Sequence, residues 1–246
     1  MFDDQVTILI PTSPIPSHPS TALIDETIAG IRNYFPTAKI IIMCDGVRAS
    51  VEHRRGQYNE YLCRIMARCE HGPYPYINTQ MKMFADPTQQ AWMTRETLKE
   101  VTTPYVIFNE HDATLRANPP IEWDAIFHLL GTDEANMVRF YHWDRIWHEH
   151  EYLMRDHIVF ENVEFVRTVQ FSGWPFIAKT DYLRRLVTDY FGPYDRKMIE
   201  TGLYGPICSA PWDAHKMVIY YPDNADCFVH RDGRTNAQGI RDPGEW

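Results

Sequence analysis

The stretch Tyr105-Val-Ile-Phe-Asn-Glu-His-Asp112 joins a hydrophobic strand to a polar end. Its first four residues form a short apolar run after Pro104, which is typical of a buried strand. Glu110 and Asp112 then bring two carboxylates to one edge of the predicted sheet. Hard divalent cations such as Mg²⁺ and Mn²⁺ bind oxygen ligands of this kind together with substrate phosphates. On spacing alone, a metal-binding pair and an acidic loop that merely follows a strand are equally good interpretations.

Two apolar runs earlier in the chain also lead into polar segments at their carboxyl ends. Residues 6–10 end at Pro11 and lead into a loop rich in proline and serine, and residues 39–43 are followed closely by Asp45. Between them, residues 21–34 have the apolar spacing of a helix. A strand, helix and strand in this order imply parallel pairing through a right-handed crossover. Because ligands of such sheets lie at the carboxyl ends of the strands, we expect the polar groups after all three strands to meet.

The rest of the chain predicts a fold of mixed type. Helices are predicted at residues 53–68, 88–101, 119–130 and 180–190 and from residue 197 onward, and strands at residues 76–78, 137–147, 150–154, 158–160, 163–171 and 218–221. The later strands are rich in aromatic residues, and no repeat or linker interrupts the chain. The sequence therefore predicts an α/β fold with a mostly parallel central sheet and a β-rich, aromatic C-terminal half, in a single domain spanning residues 1–246.

The composition disfavours some partners and locations. The 246 residues are 44% hydrophobic and 23% charged, which is typical of a globular protein. The formal net charge of −9 disfavours duplex nucleic acid as the main partner without excluding a local basic groove. Five cysteines without a C-x-x-C pair indicate reduced thiols and a cytoplasmic protein. Since the chain has no basic leader and no apolar stretch near ~20 residues, we expect a soluble protein with no membrane span.

Four motifs in order resemble those of GT-A glycosyltransferases. Glu110-His111-Asp112 is similar to their DxD motif, although the commonest form of that motif has Asp at the first position. Ile8-Leu-Ile-Pro-Thr12 resembles the first strand and base-binding loop of family 2-like members. Asp45 resembles the acidic residue that holds uracil or ribose, and Arg95 the helical arginine near the donor. The resemblance covers roughly residues 6–115 well and the rest loosely, and four motifs in one order are specific.

The resemblance implies a GT-A (Rossmann-like) fold and a nucleotide-sugar donor. Residues 1–118 would bind the donor, and residues 119–246 the acceptor. The enzyme would be a hexosyl- or pentosyltransferase that uses Mn²⁺ or Mg²⁺ and most naturally a UDP-sugar. The residues implied in donor binding are Pro11, Thr12, Ser13, Asp45, Arg95, Glu110 and His111.

The tail of the chain resembles the part of these enzymes that completes the metal site. His230 matches their C-terminal histidine, so the implied metal ligands are Asp112 and His230, with Glu110 as a further one. Arg231 and Arg234 would then pair with diphosphate oxygens.

Residues 171–179 resemble the glycine and aromatic stretch at the junction of donor and acceptor. Gly173 would allow the backbone to approach a sugar closely, and Trp174 would offer an apolar face to a pyranose ring. The alternative interpretation is a strand with a tight bend and a core tryptophan.

An inverting transferase needs a carboxylate that takes the proton of the acceptor hydroxyl. The resemblance favours Glu200, near a helix start well after the metal motif, and Asp195 and Asp213 compete with it. Each of the three is also typical of a solvated surface charge.

A histidine cluster at His142, His148, His150 and His157 falls in the strand-rich half. His148 and His150 alternate along a predicted strand and would share one face of it. We interpret the cluster as a polar wall for the acceptor. Exposed strand histidines are an equally good interpretation, and a zinc site is a weaker one because no cysteine lies near.

Two other functions fit part of the pattern. A nucleotidyltransferase acting on sugar phosphates shares the layered plan and the metal carboxylates, but it normally has a glycine-rich, basic loop after the first strand. A catalytically inactive nucleotide- or carbohydrate-binding module would not explain acidic groups at three strand ends. For the transferase, the acceptor hydroxyl would belong to a glycan, a small molecule or a modified base in DNA.

Overall fold

The computed structural model describes residues 2–141, 146–222 and 226–231, and eleven strands form in these residues. In chain order they are β1 (Val6–Thr12), β2 (Lys39–Cys44), β3 (Thr79–Met83), β4 (Tyr105–Phe108), β5 (Ala113–Leu115), β6 (Met137–Arg139), β7 (Met154–Phe160), β8 (Val163–Thr168), β9 (Phe176–Lys179), β10 (Met217–Tyr220) and β11 (Phe228–His230). Within this part of the chain, nine strands form one sheet in the order β3-β2-β1-β4-β9-β6-β10-β8-β7, and β5 pairs with β11 separately.

Most strands of the large sheet run in the same direction. β1 is parallel to β2 and β4, and β2 is parallel to β3. β9 runs antiparallel between β4 and β6, β10 is parallel to β6, and β8 lies antiparallel to both β10 and β7. Seven of the nine described strands therefore share one direction, with β8 and β9 reversed. This confirms the predicted α/β class with a mostly parallel central sheet, and strands from both predicted halves contribute to that sheet.

Helices cover both faces of the sheet. The α-helices of the described residues are α1 (Ala22–Arg32), α2 (Arg55–His71), α3 (Gln89–Leu98), α4 (Trp123–Gly131), α5 (Thr180–Tyr190), α6 (Ile199–Cys208) and α7 (Trp212–His215). Successive residues of a strand face opposite sides of a sheet. Accordingly, Ile8 and Ile10 of β1 join a core with α1, α2 and α4, while Leu9 joins a core with α3, α5 and α6. None of the described helices is both long and apolar enough to cross a membrane.

Some predicted elements differ from the observed ones. The helix predicted from residue 119 begins at Trp123, because the amides of Ile121 and Glu122 donate to the hydroxyls of Tyr34 and Tyr220 instead of starting a helix. The third strand of the sheet lies at Thr79–Met83, not at residues 76–78. Residues 148–153 form a 3-10 helix instead of a strand, since the amide of His150 turns back to the carbonyl of Trp147.

Candidate active site

A cavity of about 560 Å³ opens at the carboxyl ends of β1, β2 and β4. Parallel strands place the residues that follow them at one edge, so three separate loops meet there. Ten of the residues predicted from sequence line the cavity: Pro11, Thr12, Ser13, Asp45, Glu110, His111, Asp112, Trp174, Glu200 and His230. Five of the described residues that line it were not predicted: Arg48, Gln89, Gln90, Met93 and Met198.

The acidic turn after β4 is held in place by Asn109. This side chain is fully buried, and its Nδ2 donates to the carbonyls of Glu110 at 2.8 Å and Ala113 at 2.7 Å. The amide of Ala113 also donates to the carbonyl of Glu110 at 3.1 Å. These bonds fix the backbone that presents the side chains of Glu110 and Asp112 to the cavity. The only hint of this role in the sequence is a polar residue directly after a buried strand.

The short β5–β11 pair brings His230 to the acidic turn. Ala113 pairs with His230 in the register of these strands, and the amide of Arg231 donates to the carbonyl of Asp112 at 2.8 Å. As a result, His230 Nε2 lies 3.5 Å from Asp112 Oδ2. One ligand atom each from Glu110, Asp112 and His230 lies within 4.8 Å of the other two. The two carboxylate oxygens suit Mn²⁺ or Mg²⁺, and the imidazole nitrogen favours Mn²⁺ of the two.

The two carboxyl groups of this cluster differ in their electrostatics. Burial raises the pKa of Glu110 to about 7, and the nearby charge of Asp112 adds to the rise. Gln90 opposes it, because its Nε2 donates to Glu110 Oε1 at 3.0 Å. For Asp112, burial is the largest single influence and would raise the pKa, but the charges of His111 and His230, the contact with His230 and a backbone hydrogen bond together lower it. A divalent cation at this position would favour the ionised form of both carboxyl groups.

Glu200 enters the cavity from the first turn of α6. That helix is fixed by buried Ile199 and Leu203, and the carbonyl of Lys197 just before it accepts the amide of Ala91 at 3.0 Å. The Glu200 carboxylate is half-buried and makes no hydrogen bond or ion pair with any described residue. The competing carboxylates of Asp195 and Asp213 do not line the cavity.

Gly173 lies beside two carboxyl groups of the cavity, although it does not itself line it. A β-carbon at this position would lie 3.4 Å from Glu200 Oε2 and 3.8 Å from Glu110 Oε1. The hydrogen of glycine therefore leaves a gap just where the two acidic side chains converge. Beside it, Trp174 lines the cavity while its ring contacts Tyr141 and Phe228 edge-on, at centroid distances of 5.6 and 6.0 Å. Trp174 therefore packs in the core and also forms part of the cavity wall, so both interpretations apply to it.

The C-terminal end of β1 is fixed by a tyrosine. The hydroxyl of Thr12 hydrogen-bonds to that of Tyr61 at 3.1 Å, and the carbonyl of Thr12 accepts the amide of Asp45 at 2.9 Å. The ring of His18 stacks on Tyr61 with 3.8 Å between centroids. Pro11, Thr12 and Ser13 are thereby presented as one rigid wall of the cavity.

Asp45 binds the start of α3. Its Oδ1 accepts the amide of Thr88 at 2.6 Å, the hydroxyl of Thr88 at 3.0 Å and the amide of Gly46 at 2.9 Å. The amide of Gln89 reaches both carboxylate oxygens at 3.2 Å. Asp45 thus satisfies donors at the N-terminus of α3, which have no partner within the helix. Its observed partners are groups of the chain itself, and a contact with a nucleoside stays a prediction.

Two arginines predicted near the donor lie elsewhere. Arg95 donates to the carbonyl of Phe191 and does not line the cavity. Five positions along a helix are a rotation of about 140°, so Arg95 faces away from Gln90, which does line it. Arg231 pairs with Glu26 at 2.9 Å and is likewise outside the cavity. Arg234 lies outside the described residues.

Among the residues that the structure describes, Arg48 is the arginine that lines the cavity. It is half-buried, and its guanidinium forms no hydrogen bond or ion pair with the residues that the structure describes. It lies three residues after Asp45, in the loop that follows β2. This position at a strand end was the one available sign of its role in the sequence.

The described histidines of the predicted acceptor wall do not lie on one strand face. His148 and His150 belong to the 3-10 helix, where the alternation expected of a strand does not apply. His157 lies in β7 and contacts the carboxylate of Glu164. His142 lies outside the described residues. The prediction of a shared face is therefore wrong for the described members of the cluster.

The sequence matches no protein-family model and no curated protein. The fold is similar to that of S. aureus TarS 1-349 in complex with UDP, with a TM-score of 0.53 and 11% sequence identity. That alignment covers 88% of this chain and 58% of the TarS chain, so the chain spans less than two thirds of TarS 1-349. The similarity shows a shared GT-A-like (Rossmann-like) fold.

Two other solved structures align more loosely. The mannosyltransferase PcManGT from Pyrobaculum calidifontis, in complex with GDP-Man and Mn²⁺, gives a TM-score of 0.46 and 15% identity over 88% of this chain and 56% of that chain. The 4-diphosphocytidyl-2C-methyl-D-erythritol synthase from Anaerococcus prevotii gives 0.49 and 11% over 89% and 90%. Both TM-scores are too low to bear on function.

Proposed function

We propose that this chain is a metal-dependent glycosyltransferase, which moves a sugar from a nucleoside diphosphate to a hydroxyl acceptor. The observation that carries the proposal is the convergence of four acidic and imidazole side chains in one cavity. Glu110, Asp112 and His230 form a cluster with the chemistry of a divalent-cation site, and the carboxylate of Glu200 lies beside it across Gly173. This pairing of a metal site and a separate carboxylate fits a reaction with a charged leaving group and a proton to remove.

The groups on the donor side of the cavity support binding of a diphosphate. A divalent cation held by Glu110, Asp112 and His230 would supply positive charge that stabilises the departing diphosphate. The Arg48 guanidinium lines the same cavity and is available for charge-assisted hydrogen bonds to phosphate oxygens. The wall from Pro11 to Ser13 then faces the nucleoside. Since the structurally similar TarS was solved in complex with UDP, UDP is the first nucleotide to test.

Glu200 is the proposed general base. Its carboxylate takes the proton of the acceptor hydroxyl while the hydroxyl oxygen forms a bond to the anomeric carbon. The bond between that carbon and the phosphate oxygen breaks, and its electron pair leaves with the nucleoside diphosphate. Gly173 leaves room for the reacting groups beside Glu200, and Trp174 offers an aromatic wall next to them. This arrangement favours inversion at the anomeric carbon.

The test is an assay that separates the three candidate functions by product. Purified protein is incubated with UDP-hexoses and UDP-pentoses in Mn²⁺ or in EDTA, and released UDP is measured. Parallel reactions with UTP or CTP and sugar 1-phosphates are monitored for pyrophosphate. Water can replace the missing acceptor slowly in an open cavity, so we expect some UDP to be released. This release should require the metal, because the cation would stabilise the departing diphosphate.

Two variants make the assay specific for the cavity. Asp112→Asn removes one proposed metal ligand and is expected to abolish most metal-dependent release. Asp213→Asn is the matched control, because Asp213 is an acidic residue of α7 that does not line the cavity. Pyrophosphate release instead of UDP release would show a nucleotidyltransferase. UDP-sugar binding without either product, across the whole panel, would show an inactive binding module.

A further inference from the structure

A charged arginine is buried beneath the cavity. Arg139 ends β6, and only 1% of its surface is exposed. Its Nη1 donates to the carbonyl of Gln170 at 2.6 Å, whereas its Nε and Nη2 are buried and have no hydrogen-bond partner among the described residues. A buried charge without compensation is strongly unfavourable, so this guanidinium needs a negative charge nearby.

The fold places Glu200 on the side of the sheet that this guanidinium faces. Met137, two residues before Arg139 on the same strand, joins the core that α6 covers, so the Arg139 side chain faces that helix as well. Glu200 lies in the first turn of α6. Gln170, the partner of Arg139, precedes Gly173 by three residues, and Gly173 lies against the carboxylate of Glu200. Arg139 and Glu200 therefore lie on the same side of the sheet and interact through their charges without forming a direct ion pair.

The charges around the pair agree with this geometry. Burial lowers the pKa of Arg139 to about 10, and the charge of Glu200 is the largest of the influences that oppose the shift. Smaller influences in the same direction come from Tyr141, Cys208 and Tyr204. On its cavity side, Glu200 faces the carboxyl group of Glu110 across Gly173. Glu200 thus lies between a buried cation and a second acidic group that repels it.

We propose that Arg139 is a positioning residue for Glu200. Its buried charge attracts the Glu200 carboxylate and favours the orientation in which that carboxylate receives the proton of the acceptor. The inference rests on the proposed function, because the task of Glu200 is assigned there. Arg139 is sealed from the cavity and does not touch the substrate. Its loss should therefore lower the turnover rate and leave the affinity for UDP and Mn²⁺ unchanged.

The test is a double-mutant cycle with two independent readouts. Arg139→Met, Glu200→Gln and the double variant are compared with the unmodified protein by thermal denaturation and by turnover of the UDP-sugar that reacts fastest, with water as acceptor. Glu200→Gln is expected to slow turnover by about 10²-fold or more. Arg139→Met is expected to slow it by about 10²-fold, because a small displacement of a reacting group has an effect of that size. The double variant should be no slower than Glu200→Gln alone.

The stability readout does not depend on catalysis. Glu200→Gln leaves the buried charge of Arg139 uncompensated, so it should lower the melting temperature in the unmodified protein but not in the Arg139→Met background. Arg139→Lys keeps the charge and should retain most of the turnover and of the stability coupling. Arg32→Met is the matched control: Arg32 is 2% exposed and binds the backbone carbonyls of Phe35 and Ala38, so its loss should lower stability without coupling to Glu200→Gln.

The outcomes are distinguishable. The role of Arg139 would be overturned if the two single substitutions slowed turnover independently, so that their effects multiplied in the double variant, and if Glu200→Gln lowered the melting temperature equally in the unmodified protein and in Arg139→Met. Stability coupling in a protein that turns over no UDP-sugar would support the Arg139–Glu200 pair and overturn the proposed function instead. If Arg139→Met does not fold, Arg139→Gln replaces it, because an amide can keep the bond to the carbonyl of Gln170 while removing the charge.

Discussion

Replacing Gly173 with alanine tests the arrangement of the cavity without removing any charged group. The added β-carbon would lie 3.4 Å from Glu200 Oε2, 3.6 Å from Glu200 Cβ and 3.8 Å from Glu110 Oε1. These are ordinary van der Waals contacts, and the backbone of Gly173 lies outside the left-handed region, so the fold accommodates the methyl group. Its effect on unfolding is expected to stay within about 1 kcal/mol, since alanine also reduces the freedom of the unfolded chain.

The effect of Gly173→Ala on catalysis should be much larger. The methyl group takes up the space between the two carboxyl groups, where the reacting atoms of the substrate would lie. A displacement of about 1 Å costs on the order of 10²-fold in rate, so UDP release should fall by about that factor. Melting temperature and UDP release are measured on the same preparation. A variant with normal stability and full turnover would refute the placement of the reaction between Glu200 and Glu110.

Two other glycines provide controls from the helix that carries Glu200. Around Gly205, no described atom lies within 4 Å of an added β-carbon. Gly205→Ala should therefore keep full activity and gain up to about 1 kcal/mol of stability from the higher helix propensity of alanine. At Gly202 the same atom would overlap the ring of Phe191, so Gly202→Ala should be strongly destabilised. Together, the three variants distinguish the effect of a methyl group in the cavity from the effect of a methyl group in the packed core.

Three further predictions concern binding and stability. Arg48→Gln removes charge-assisted hydrogen bonds worth about 1.5–3 kcal/mol, so UDP should bind about 10- to 150-fold more weakly in calorimetry; equal affinity would place Arg48 away from the phosphates. Asp45→Ala should lower the free energy of unfolding by about 1–3 kcal/mol in urea, because amides of α3 lose their partner, and unchanged stability would contradict this. Burial lowers the pKa of His18 from 6.5 to about 3. Between these two pH values the unfolded chain binds a proton at this histidine and the folded chain does not, so the stability should fall as the pH drops below 6.5. The slope is at most about 1.4 kcal/mol per pH unit, and His18→Phe should make it shallower; identical slopes would exclude His18 as the cause.

The sequence predicted the elements that have strong periodic patterns. The apolar runs at β1, β2 and β4 are each longer than three residues, and each ends in polar or proline residues that break the pattern. Because parallel strands share one edge, those ends were expected to meet, and they do. β6 was predicted as a much longer strand, since its apolar and aromatic residues continue past Arg139 without a break in composition.

Contacts between distant parts of the chain could not be read from pattern alone. The helix that carries Arg95 was predicted, but the guanidinium of Arg95 binds the carbonyl of Phe191, which lies 96 residues further along the chain. The sequence pattern could not show that this contact turns Arg95 away from the cavity. Asp45 binds amides 43 residues away, and no local signal marks that pairing. Gln90 and Met198 line the cavity from a helix start and a loop, where side chains follow no hydrophobic period. The sequence therefore indicated where the cavity would form better than which side chains would complete it.

The most direct test of the central proposal is a calorimetric titration of UDP into the purified protein, once with Mn²⁺ and once with EDTA. We expect UDP to bind with Mn²⁺ and to lose most of its affinity in EDTA, because the cluster of Glu110, Asp112 and His230 would hold the diphosphate through the cation. His230→Gln should bind UDP equally weakly under both conditions. UDP binding that is the same with Mn²⁺ and EDTA, or Mn²⁺ dependence that survives in His230→Gln, would contradict the proposal.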